Sequence, residues 1–451
     1  MPKRRILYLP VETKARELLG KTFLAARAAE RGWITVLGHQ NEVFRAEEVG
    51  PGGACVENSI PDYKAPRLKA FRSRGHRIVS LCEENIVYTD GWDYCNRKIG
   101  PAAVEQADLV CTAGNWNAAH LREFRPSSGP KVRLTGNPRF DTLMPEYREV
   151  YAEPAQRIRE EFGRILLVNT NFGISNPFKR GEDRIARIAS RGKVADANHA
   201  AFMARWRSYK ADHMERLKAL LAEVAASGAF DRVVIRPHPV ENHEVWREWA
   251  EPLGMEVRYD GTASVWILAA DAVLHTGCTT GIEGILLDRP VASFVFDAGS
   301  EFLNCTDAVS VQVSSAGELL ARVAEWRAVA RADVRAYLAP QRALIQSYIE
   351  NVERPLAADR ILDALDELDL PEHSLAAASA PWGVQWKARE LMAEAREALR
   401  RVRYGRRRDA QKFPSLALRD MTEPIGRWVA TGALGQMPSF TRVARRVWLV
   451  A

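Results

Sequence analysis

The sequence predicts an α/β protein made of two doubly wound, Rossmann-like halves followed by a basic C-terminal tail. Short apolar runs alternate with helical patterns over residues 6–296, and Gly and Pro separate many of them. This alternation is the signature of a parallel sheet covered by helices. The chain has 451 residues, which is long enough for two domains and an appendage.

The first half contains five predicted strands and ends at the turn Gly136-Asn137-Pro138. Two clear helices lie between them, an Ala/Leu-rich one that stops before Gly32 and a second one after the fourth strand. The strands are Ile6–Leu9, Ile34–Leu37, Arg77–Leu81, Leu109–Thr112 and Lys131–Thr135, and the helices are Lys14–Arg31 and Asn115–Phe124.

The second half repeats the alternation and closes with helices between Ala316 and Leu368. We therefore expect an N-terminal domain over 1–155, a C-terminal domain over 156–370 and a linker with a basic tail over 371–451. Two such domains in tandem are typical of an enzyme with its site in a cleft. The predicted elements are strands Ile165–Asn169, Arg232–Arg236, Glu256–Tyr259, Ala272–His275 and Val291–Phe296, and helices 197–227, Glu244–Leu253, Ser264–Ala269 and Gly281–Leu287.

Composition favours a soluble globular protein, with 47% hydrophobic and 27% charged residues. No apolar run reaches the eighteen or so residues of a membrane span, and the run Ile6–Leu9 is too short for a signal peptide. The six cysteines show no C-x-x-C and no metal-ligand spacing. They predict reduced thiols and a cytoplasmic protein.

The positive charge is concentrated in the tail. Residues 381–451 hold 15 Lys and Arg against 6 Asp and Glu, or +9, so the rest of the chain carries −2 of the total of +7. Trp386–Arg408 has the pattern of a basic amphipathic helix, and Val443–Val450 mixes arginines with Trp448. The pattern predicts docking on an anionic membrane face, with a solvated helix or an oligomer contact as alternatives. No nucleic-acid-binding module accompanies the charge.

Two polar turns follow apolar strands in the second half. Arg236-Pro237-His238-Pro239 comes directly after one strand, and Thr279-Thr280-Gly281 follows another strand and opens a helix. Ligands of open α/β sheets bind at the carboxyl ends of the strands, and helix N-termini attract anions. These turns predict a site for a phosphate or pyrophosphate, and hence a nucleotide-activated substrate.

Six motifs follow one another in a fixed order between residues 4 and 365. They are Cys82-Glu83-Glu84-Asn85, Ala107–Val110, Thr135–Asp141, Asn169–Gly173, Arg236–Pro239 with Glu241-Asn242, and Thr279–Glu283. With these motifs the chain resembles the bacterial surface carbohydrate biosynthesis proteins, which are distant relatives, within the GT-B superfamily, of CDP-glycerol glycerophosphotransferases and UDP-GlcNAc 2-epimerases. The resemblance implies a GT-B-like fold, with two Rossmann-like domains facing a cleft.

A wider resemblance concerns bacterial sialyltransferases and the Kdo transferases of capsule synthesis. Those enzymes carry an acidic pair followed by Gly, then His-Pro, then paired Ser or Thr. Glu83-Glu84 is similar to the acidic pair, although Asn85 stands in the place of the Gly. The resemblance implies that one of the two glutamates does the chemistry and leaves open which one. Asp90 and Asp93 form an alternative acidic cluster.

The same resemblance implies that His238 and the paired threonines hold the donor phosphate. Arg236 is predicted to support that phosphate or to pair with Glu241. Glu283 is predicted to bind the nucleoside or to form a capping box with Thr280. The predicted catalytic residues are Glu83, Glu84 and His238, and the predicted donor-binding residues are Asn169, Asn171, Gly173, Arg236, Pro239, Thr279, Thr280, Gly281 and Glu283.

These residues favour a glycosyltransferase that moves a CMP-activated acidic sugar, similar to Kdo or sialic acid, onto a surface glycan such as capsule or lipopolysaccharide. The acceptor is predicted to be a glycan or lipid-linked glycan. No metal or other cofactor is expected, because the sequence has no D-x-D triplet and the donor carries one phosphate. The alternatives are a CDP-glycerol-type phosphotransferase, a UDP-sugar 2-epimerase-like enzyme and a scaffold of a polysaccharide assembly complex.

Overall fold

A computed structural model describes residues 3–84, 86–88, 90–190, 197–380 and 412–451, together with positions 392, 395, 396 and 399. The chain divides into two units. Unit 1 comprises Met1–Asn85, Asp90–Val150 and Gln346–Ala451, and unit 2 comprises Ile86–Thr89 and Tyr151–Ile345.

Strands and helices alternate along both units. The strands are β1 (Ile6–Val11), β2 (Ile34–His39), β3 (Ala54–Glu57), β4 (Arg77–Leu81), β5 (Leu109–Thr112), β6 (Val132–Leu134), β7 (Ile165–Asn169), β8 (Arg232–Arg236), β9 (Glu256–Val257), β10 (Ala272–His275), β11 (Val291–Phe294), β12 (Val311–Val313), β13 (Phe440–Ala444) and β14 (Val447–Val450). The helices are α1 (Lys14–Glu30), α2 (Gln40–Val49), α3 (Ala65–Arg72), α4 (Gly91–Lys98), α5 (Pro101–Gln106), α6 (Asn115–Phe124), α7 (Pro138–Asp141), α8 (Ala152–Phe162), α9 (Arg184–Ala189), α10 (Ala197–Ala226), α11 (His243–Ala250), α12 (Ala263–Ala269), α13 (Thr280–Leu286), α14 (Cys305–Val309), α15 (Ala316–Ala328), α16 (Val334–Tyr337), α17 (Ala339–Ile345), α18 (Ala357–Asp366), α19 (Leu375–Ser379) and α20 (Arg419–Ala430).

Unit 1 contains an eight-stranded sheet in the order β13-β14-β2-β1-β3-β4-β5-β6. Strands β1 to β6 pair in parallel, and β1 is buried along its whole length. Near-continuous apolar strands of this kind are typical of a parallel sheet covered on both faces. The strand order reverses between β1 and β3, since β2 lies on one side of β1 and β3 to β6 lie on the other. Because these strands are parallel, the loops after β1, β3 and β4 lie along one edge of the sheet.

The C-terminal hairpin completes this sheet. β14 pairs antiparallel with β2, placing Trp448 opposite Leu37, and β13 forms the edge. Trp428 of α20 is fully buried, lies edge-on to Phe23 of α1 at 5.0 Å and donates its indole N–H to the Tyr147 carbonyl at 2.8 Å. The segment 412–451 is therefore part of the body of unit 1.

This result corrects the prediction that residues 371–451 form only a linker and a basic tail. Arg446 pairs with Glu42 at 2.6 Å and Lys412 pairs with Glu12, so part of the excess charge is neutralised inside unit 1. The apolar residues of Val443–Val450 lie in the sheet because β2 offers an open edge. The predicted helix Trp386–Arg408 lies almost entirely outside the described residues.

The predicted boundary at residue 370 also differs from the structure. Residues 346–370, which the sequence places in the C-terminal domain, group with unit 1. Asp359 of α18 pairs with Arg27 of α1 at 2.8 Å, and the buried Asp141 carboxylate accepts the N–H groups of Ala357 and Ala358, each at 2.8 Å. These partners are more than 200 residues apart in sequence, so local patterns do not reveal them.

Unit 2 contains a six-stranded parallel sheet in the order β12-β11-β10-β7-β8-β9. Its core includes Leu166, Val168, Leu217, Trp246 and Leu274, all fully buried. The predicted α/β class with two Rossmann-like units is confirmed.

Candidate functional site

The strand order of unit 2 locates a switch point. β7 is followed by β8 and β9 on one side and by β10, β11 and β12 on the other. Ligands of doubly wound sheets bind outside the carboxyl ends of the strands where the order reverses, which here lies between β7 and β10. The loops at this point are residues 170–173 and 276–279, and both contain residues that the sequence predicts to bind the donor.

These two loops are bonded to each other. The Asn171 backbone N–H donates to Thr276 Oγ1 at 2.9 Å, and Asn171 Nδ2 donates to the Gly277 carbonyl at 3.0 Å. From α10, the buried Lys210 Nζ donates to the Thr276 carbonyl at 3.0 Å. Burial lowers the pKa of Lys210. The predicted residue Asn171 therefore helps to fix the loop geometry.

His275, the last residue of β10, holds the loop that follows this strand by hydrogen bonds. Its Nδ1 accepts the N–H groups of Gly277 at 3.1 Å and Cys278 at 3.5 Å, and its Nε2 lies 2.9 Å from Ser310 Oγ. Burial lowers its pKa to about 4, so the ring is neutral. A Cβ on Gly281 would lie 2.5 Å from His275 Nε2, which explains why glycine stands there.

The same bonds limit what this loop offers to an anion. The N–H groups of Gly277 and Cys278 are already bonded to His275. The polar groups left for an anion at this loop include the side chains of Thr279 and Thr280, which are partly exposed. Helix α13 has only seven residues, so its dipole alone does not make an anion site.

Glu283 contacts Thr279 rather than Thr280. Thr279 Oγ1 donates to one carboxylate oxygen of Glu283 at 3.4 Å, and Ser264 Oγ donates to the other at 3.4 Å. The hydroxyl of Thr280 lies 2.7 Å from Cys278 Sγ. The predicted capping box of Thr280 and Glu283 is therefore not formed, because α13 begins at Thr280, one residue earlier than that arrangement requires.

A buried carboxylate joins the loops after β7 and β8. Glu241 Oε1 accepts from Thr170 Oγ1 at 2.8 Å, from the Phe172 N–H at 2.9 Å and from the His238 N–H at 3.1 Å. Its Oε2 accepts the Trp246 indole N–H at 2.8 Å. Burial raises the pKa of Glu241, and these four donors oppose that effect. Glu241 thereby sets the backbone position of His238.

His238 lies at the carboxyl end of β8 and is partly exposed. Its Nδ1 accepts the Val240 N–H at 3.3 Å. In the neutral ring this bond places the proton on Nε2, so Nε2–H is the donor that can act on a ligand. The Pro237 and Pro239 rings restrict the backbone on both sides.

Arg236 has a structural role that the sequence did not predict. Its guanidinium donates to the Asp260 carbonyl at 2.7 Å and to the Gly261 carbonyl at 3.2 Å, so it supports the turn after β9. The predicted pairing with Glu241 is not formed, since the Glu241 oxygens accept from neutral donors. Burial lowers the pKa of Arg236 to about 10, which leaves it charged at neutral pH.

Two further predicted residues lie at the end of β7. Asn169 is buried, and its Nδ2 has no hydrogen-bond partner among the described residues. Gly173 packs under Val240, where an added Cβ would lie 2.4 Å from a methyl group. Gly173 thus allows the loops after β7 and β8 to approach each other.

In unit 1, Glu83 and Glu84 lie just after β4 but in different environments. The side chain of Glu83 is only 4% exposed, and its carboxylate accepts from Asn137 Nδ2 at 3.1 Å and lies 3.5 Å from Lys21 Nζ. The side chain of Glu84 is 49% exposed and pairs with Arg16 at 2.6 Å and Lys98 at 2.7 Å. Lys98 and Arg16 hold the pKa of Glu84 well below its usual range.

The alternative acidic cluster has structural partners. Asp90 caps α4 by accepting the Asp93 N–H at 2.7 Å, and Asp93 pairs with Arg97 at 3.0 Å. Both aspartates therefore stabilise α4, Asp90 as its N-cap and Asp93 through an ion pair within the helix.

Several residues that organise these sites were missed in the sequence. Lys210, His275 and Lys21 are buried polar residues within helices or a strand, and each has at least one partner on another element. A charged residue at an apolar position of an amphipathic helix was the only local signal for Lys210 and Lys21. No cluster that could hold a metal ion occurs in the described part of the chain, and none of its helices is long and apolar enough to cross a membrane.

Comparison with known proteins gives structural neighbours only. No protein-family model matches the chain, and no curated protein matches it. A structure of the wall teichoic acid polymerase TagF is 11% identical, with a TM-score of 0.49 over 81% of this chain and 88% of that chain. A putative UDP-N-acetylglucosamine 2-epimerase from Listeria monocytogenes is 11% identical, with a TM-score of 0.48 over 83% and 100%. HepE of Anabaena, in complex with UDP and glucose, is 10% identical, with a TM-score of 0.44 over 81% and 100%.

Proposed function

We propose that this protein is a GT-B-type glycosyltransferase that transfers a sugar from a nucleotide-activated donor to a cell-surface glycan. One observation carries the proposal. The switch point of unit 2 brings the bonded loops 170–173 and 276–279 to the same sheet edge as His238. This is the place where doubly wound sheets bind nucleotides.

The donor that fits best is a CMP-activated acidic sugar. Its single phosphate needs few donors. The site offers the Nε2–H of His238 together with the hydroxyls of Thr279 and Thr280, which would turn from Glu283 and Cys278 to the phosphate. Donors held in place before the reaction stabilise the negative charge that develops on a departing phosphate. Glu283 and Asn169 are proposed to contact the rest of the donor.

Unit 1 is proposed to supply the proton acceptor. Transfer to a hydroxyl requires a carboxylate that takes up the proton of the acceptor, and Glu83 and Glu84 are the candidates. The acceptor is a glycan or lipid-linked glycan in this proposal. We place the reaction in the cytoplasm, at the inner membrane if residues 381–411 bind anionic lipid.

A thermal-shift panel with CMP, UMP, CDP and UDP tests the proposal. A ligand that binds the folded state raises the melting temperature according to its occupancy. The proposal predicts the largest rise with CMP. A largest rise with CDP would favour a CDP-glycerol-type phosphotransferase, a largest rise with UDP a UDP-sugar enzyme, and no rise with any nucleotide a scaffold.

A further inference from the structure

A chain of alternating charges connects the two glutamates after β4. Helix α1 contributes Arg16, Glu17 and Lys21 to it. Arg16 contacts Glu84 at 2.6 Å and Glu17 at 2.8 Å, and Lys21 Nζ lies 3.1 Å from Glu17 and 3.5 Å from Glu83. With Lys98 on the other oxygen of Glu84, three carboxylates and three cations share one network.

Lys21 is the most enclosed cation of this network. Its side chain is 1% exposed, and its ammonium also donates to the Pro10 carbonyl and to Asn58 Oδ1 at 2.9 Å. A buried ammonium is tolerated only when its protons are bonded and its charge is matched. Lys21 is therefore fixed between Glu17 and Glu83 at the end of β1, where the strand order of unit 1 reverses.

The two acidic partners of Lys21 are not equivalent. Besides Lys21, Glu17 accepts from Arg16 and from the backbone N–H groups of Glu12 at 2.8 Å and Thr13 at 3.2 Å. Lys21 and Arg16, with these hydrogen bonds, lower the pKa of Glu17 to about 2 despite its burial. Glu83 has one cation and the Asn137 amide. Glu17 therefore keeps a cation and two backbone donors without Lys21, whereas Lys21 is the cation that pairs with Glu83 among the described residues.

Glu84 is poorly suited to accept a proton. Each of its oxygens is paired with a cation, and a carboxylate stabilised in this way is a weak base. Within the described part of the chain, Lys21 is the one cation paired with Glu83. The neighbouring Cys82 thiol stays neutral, since burial raises its pKa.

We propose that Glu83 is the proton-accepting carboxylate of the pair and that Lys21 is the positioning residue that keeps it ionised. The assignment of Glu83 rests on the proposed function. The effect of Lys21 on the charge of Glu83 does not depend on it.

Carboxyl ¹³C NMR of the full chain, labelled at the glutamate side-chain carboxyl carbon, measures this effect directly. The Glu83→Gln variant identifies the Glu83 signal. An opposite charge within about 4–6 Å typically moves a carboxyl titration by about one to three pH units. Lys21→Met should therefore raise the titration midpoint of Glu83 by about that amount. Glu17→Gln should lower the midpoint, because it removes a negative charge and leaves Lys21 to Glu83.

Lys14→Met is the matched control. Lys14 lies on the same helix but pairs with Asp420 at 2.7 Å, so its removal should leave the Glu83 midpoint unchanged. A purely structural role of Lys21 would not produce shifts of opposite sign in two near-isosteric variants. If Lys21→Met does not fold, the downward shift of the Glu83 titration midpoint in Glu17→Gln tests the proposal by itself. An unchanged midpoint in Glu17→Gln and in any folded Lys21→Met would overturn the proposal.

Turnover of CMP-N-acetylneuraminic acid separates this inference from the proposed function. If the midpoints shift as expected but none of the nucleotide sugars tried is turned over, the charge network stands and the proposed function fails. If a donor is turned over and Glu84→Gln loses activity while Glu83→Gln retains it, the assignment of Glu83 is wrong. The expected result is a loss in Glu83→Gln and, in Lys21→Met, an acid limb of the rate profile displaced to higher pH.

Discussion

At the residue scale, Glu241 shows how one buried carboxylate can organise a whole strand-end site. Its two oxygens accept four donors from the loops after β7 and β8 and from α11. A glutamine would turn one acceptor into an N–H donor that faces another donor. Glu241→Gln should therefore cost about 1–3 kcal/mol of unfolding free energy.

Urea denaturation measures this cost, with Glu244→Gln as the control. Glu244 is an exposed neighbour on α11 whose carboxylate pairs with Arg247. The Glu241 variant should also bind nucleotide more weakly, since His238 loses its backbone anchor. Equal stability of the two variants would contradict the role of Glu241.

His238 is predicted to act on the donor rather than to hold the fold. It is partly exposed at the end of β8, so His238→Ala should keep the wild-type melting temperature within a few degrees and abolish transfer. The measurement is the initial rate of nucleotide release with the donor identified by the nucleotide panel. A folded variant with activity within about threefold of wild type would remove His238 from the mechanism.

Single residues also show which positions and contacts could be predicted from the sequence. The position of His238 after an apolar strand could be predicted from the sequence, because Pro-His-Pro directly follows β8. The partner of Arg236 could not, because its choice between Glu241 and the carbonyls of Asp260 and Gly261 depends on how β9 packs. Lys21 and Lys210 were missed for the same reason, since Asn58 and Glu83 contact Lys21, and Thr276 contacts Lys210, from distant segments.

At the element scale, the loop after β10 depends on a neutral histidine. The folded-state pKa of His275 is about 4, below its usual value near 6.5. The contribution of His275 to the free energy of unfolding is complete above about pH 6.5. It is lost as pH falls towards 4, because the ring takes up a proton in the unfolded chain but stays neutral in the folded protein. The full effect is about 3 kcal/mol.

Denaturation between pH 7.5 and 4 tests this linkage. Wild-type stability should fall over this range, and His275→Gln should show a shallower dependence although it is less stable at pH 7.5. Other buried histidines, including His243 with a pKa lowered to about 4, keep some dependence in the variant. An unchanged slope in His275→Gln would show that the ring is not buried in its neutral form.

The C-terminal hairpin gives a second prediction at this scale. Gly38 of β2 lies against β14, and an added Cβ would lie 2.2 Å from the Arg446 carbonyl oxygen. Gly38→Ala should destabilise the protein by about 1–3 kcal/mol through overpacking. Gly317→Ala is the control, because a Cβ there meets no atom within 4 Å. Similar melting temperatures for both variants would mean that the hairpin does not pack on β2.

Elements differed in how well the sequence predicted them. The bounds of β4, β5, β7, β8 and β10 match the prediction, because continuous apolar runs ended by polar turns are strong local signals. β3 was missed because Ala54–Glu57 is short and follows two glycines. The sequence places β13 and β14 in a membrane-binding tail, because the pairing of β14 with β2 joins segments some 400 residues apart and leaves no local signal.

At the scale of the whole molecule, each unit contributes one half of the proposed chemistry. Unit 2 has the strand order and the bonded loops of the proposed nucleotide site, and unit 1 holds the two candidate carboxylates, Glu83 and Glu84. The division into two Rossmann-like units was predictable from the repeated strand–helix pattern. The assignment of residues 346–370 and 412–451 to unit 1 was not, because it depends on contacts with α1 and β2.

The most direct test of the central claim is calorimetric titration of the preferred nucleotide into three proteins. These are the wild type, a unit 2 variant with His238→Ala, Thr279→Val and Thr280→Val, and the unit 1 variant Glu83→Gln. The donor site in unit 2 predicts that the triple variant loses at least tenfold in affinity, while Glu83→Gln binds like the wild type and fails only in transfer. Wild-type affinity in a folded triple variant would contradict the proposed site.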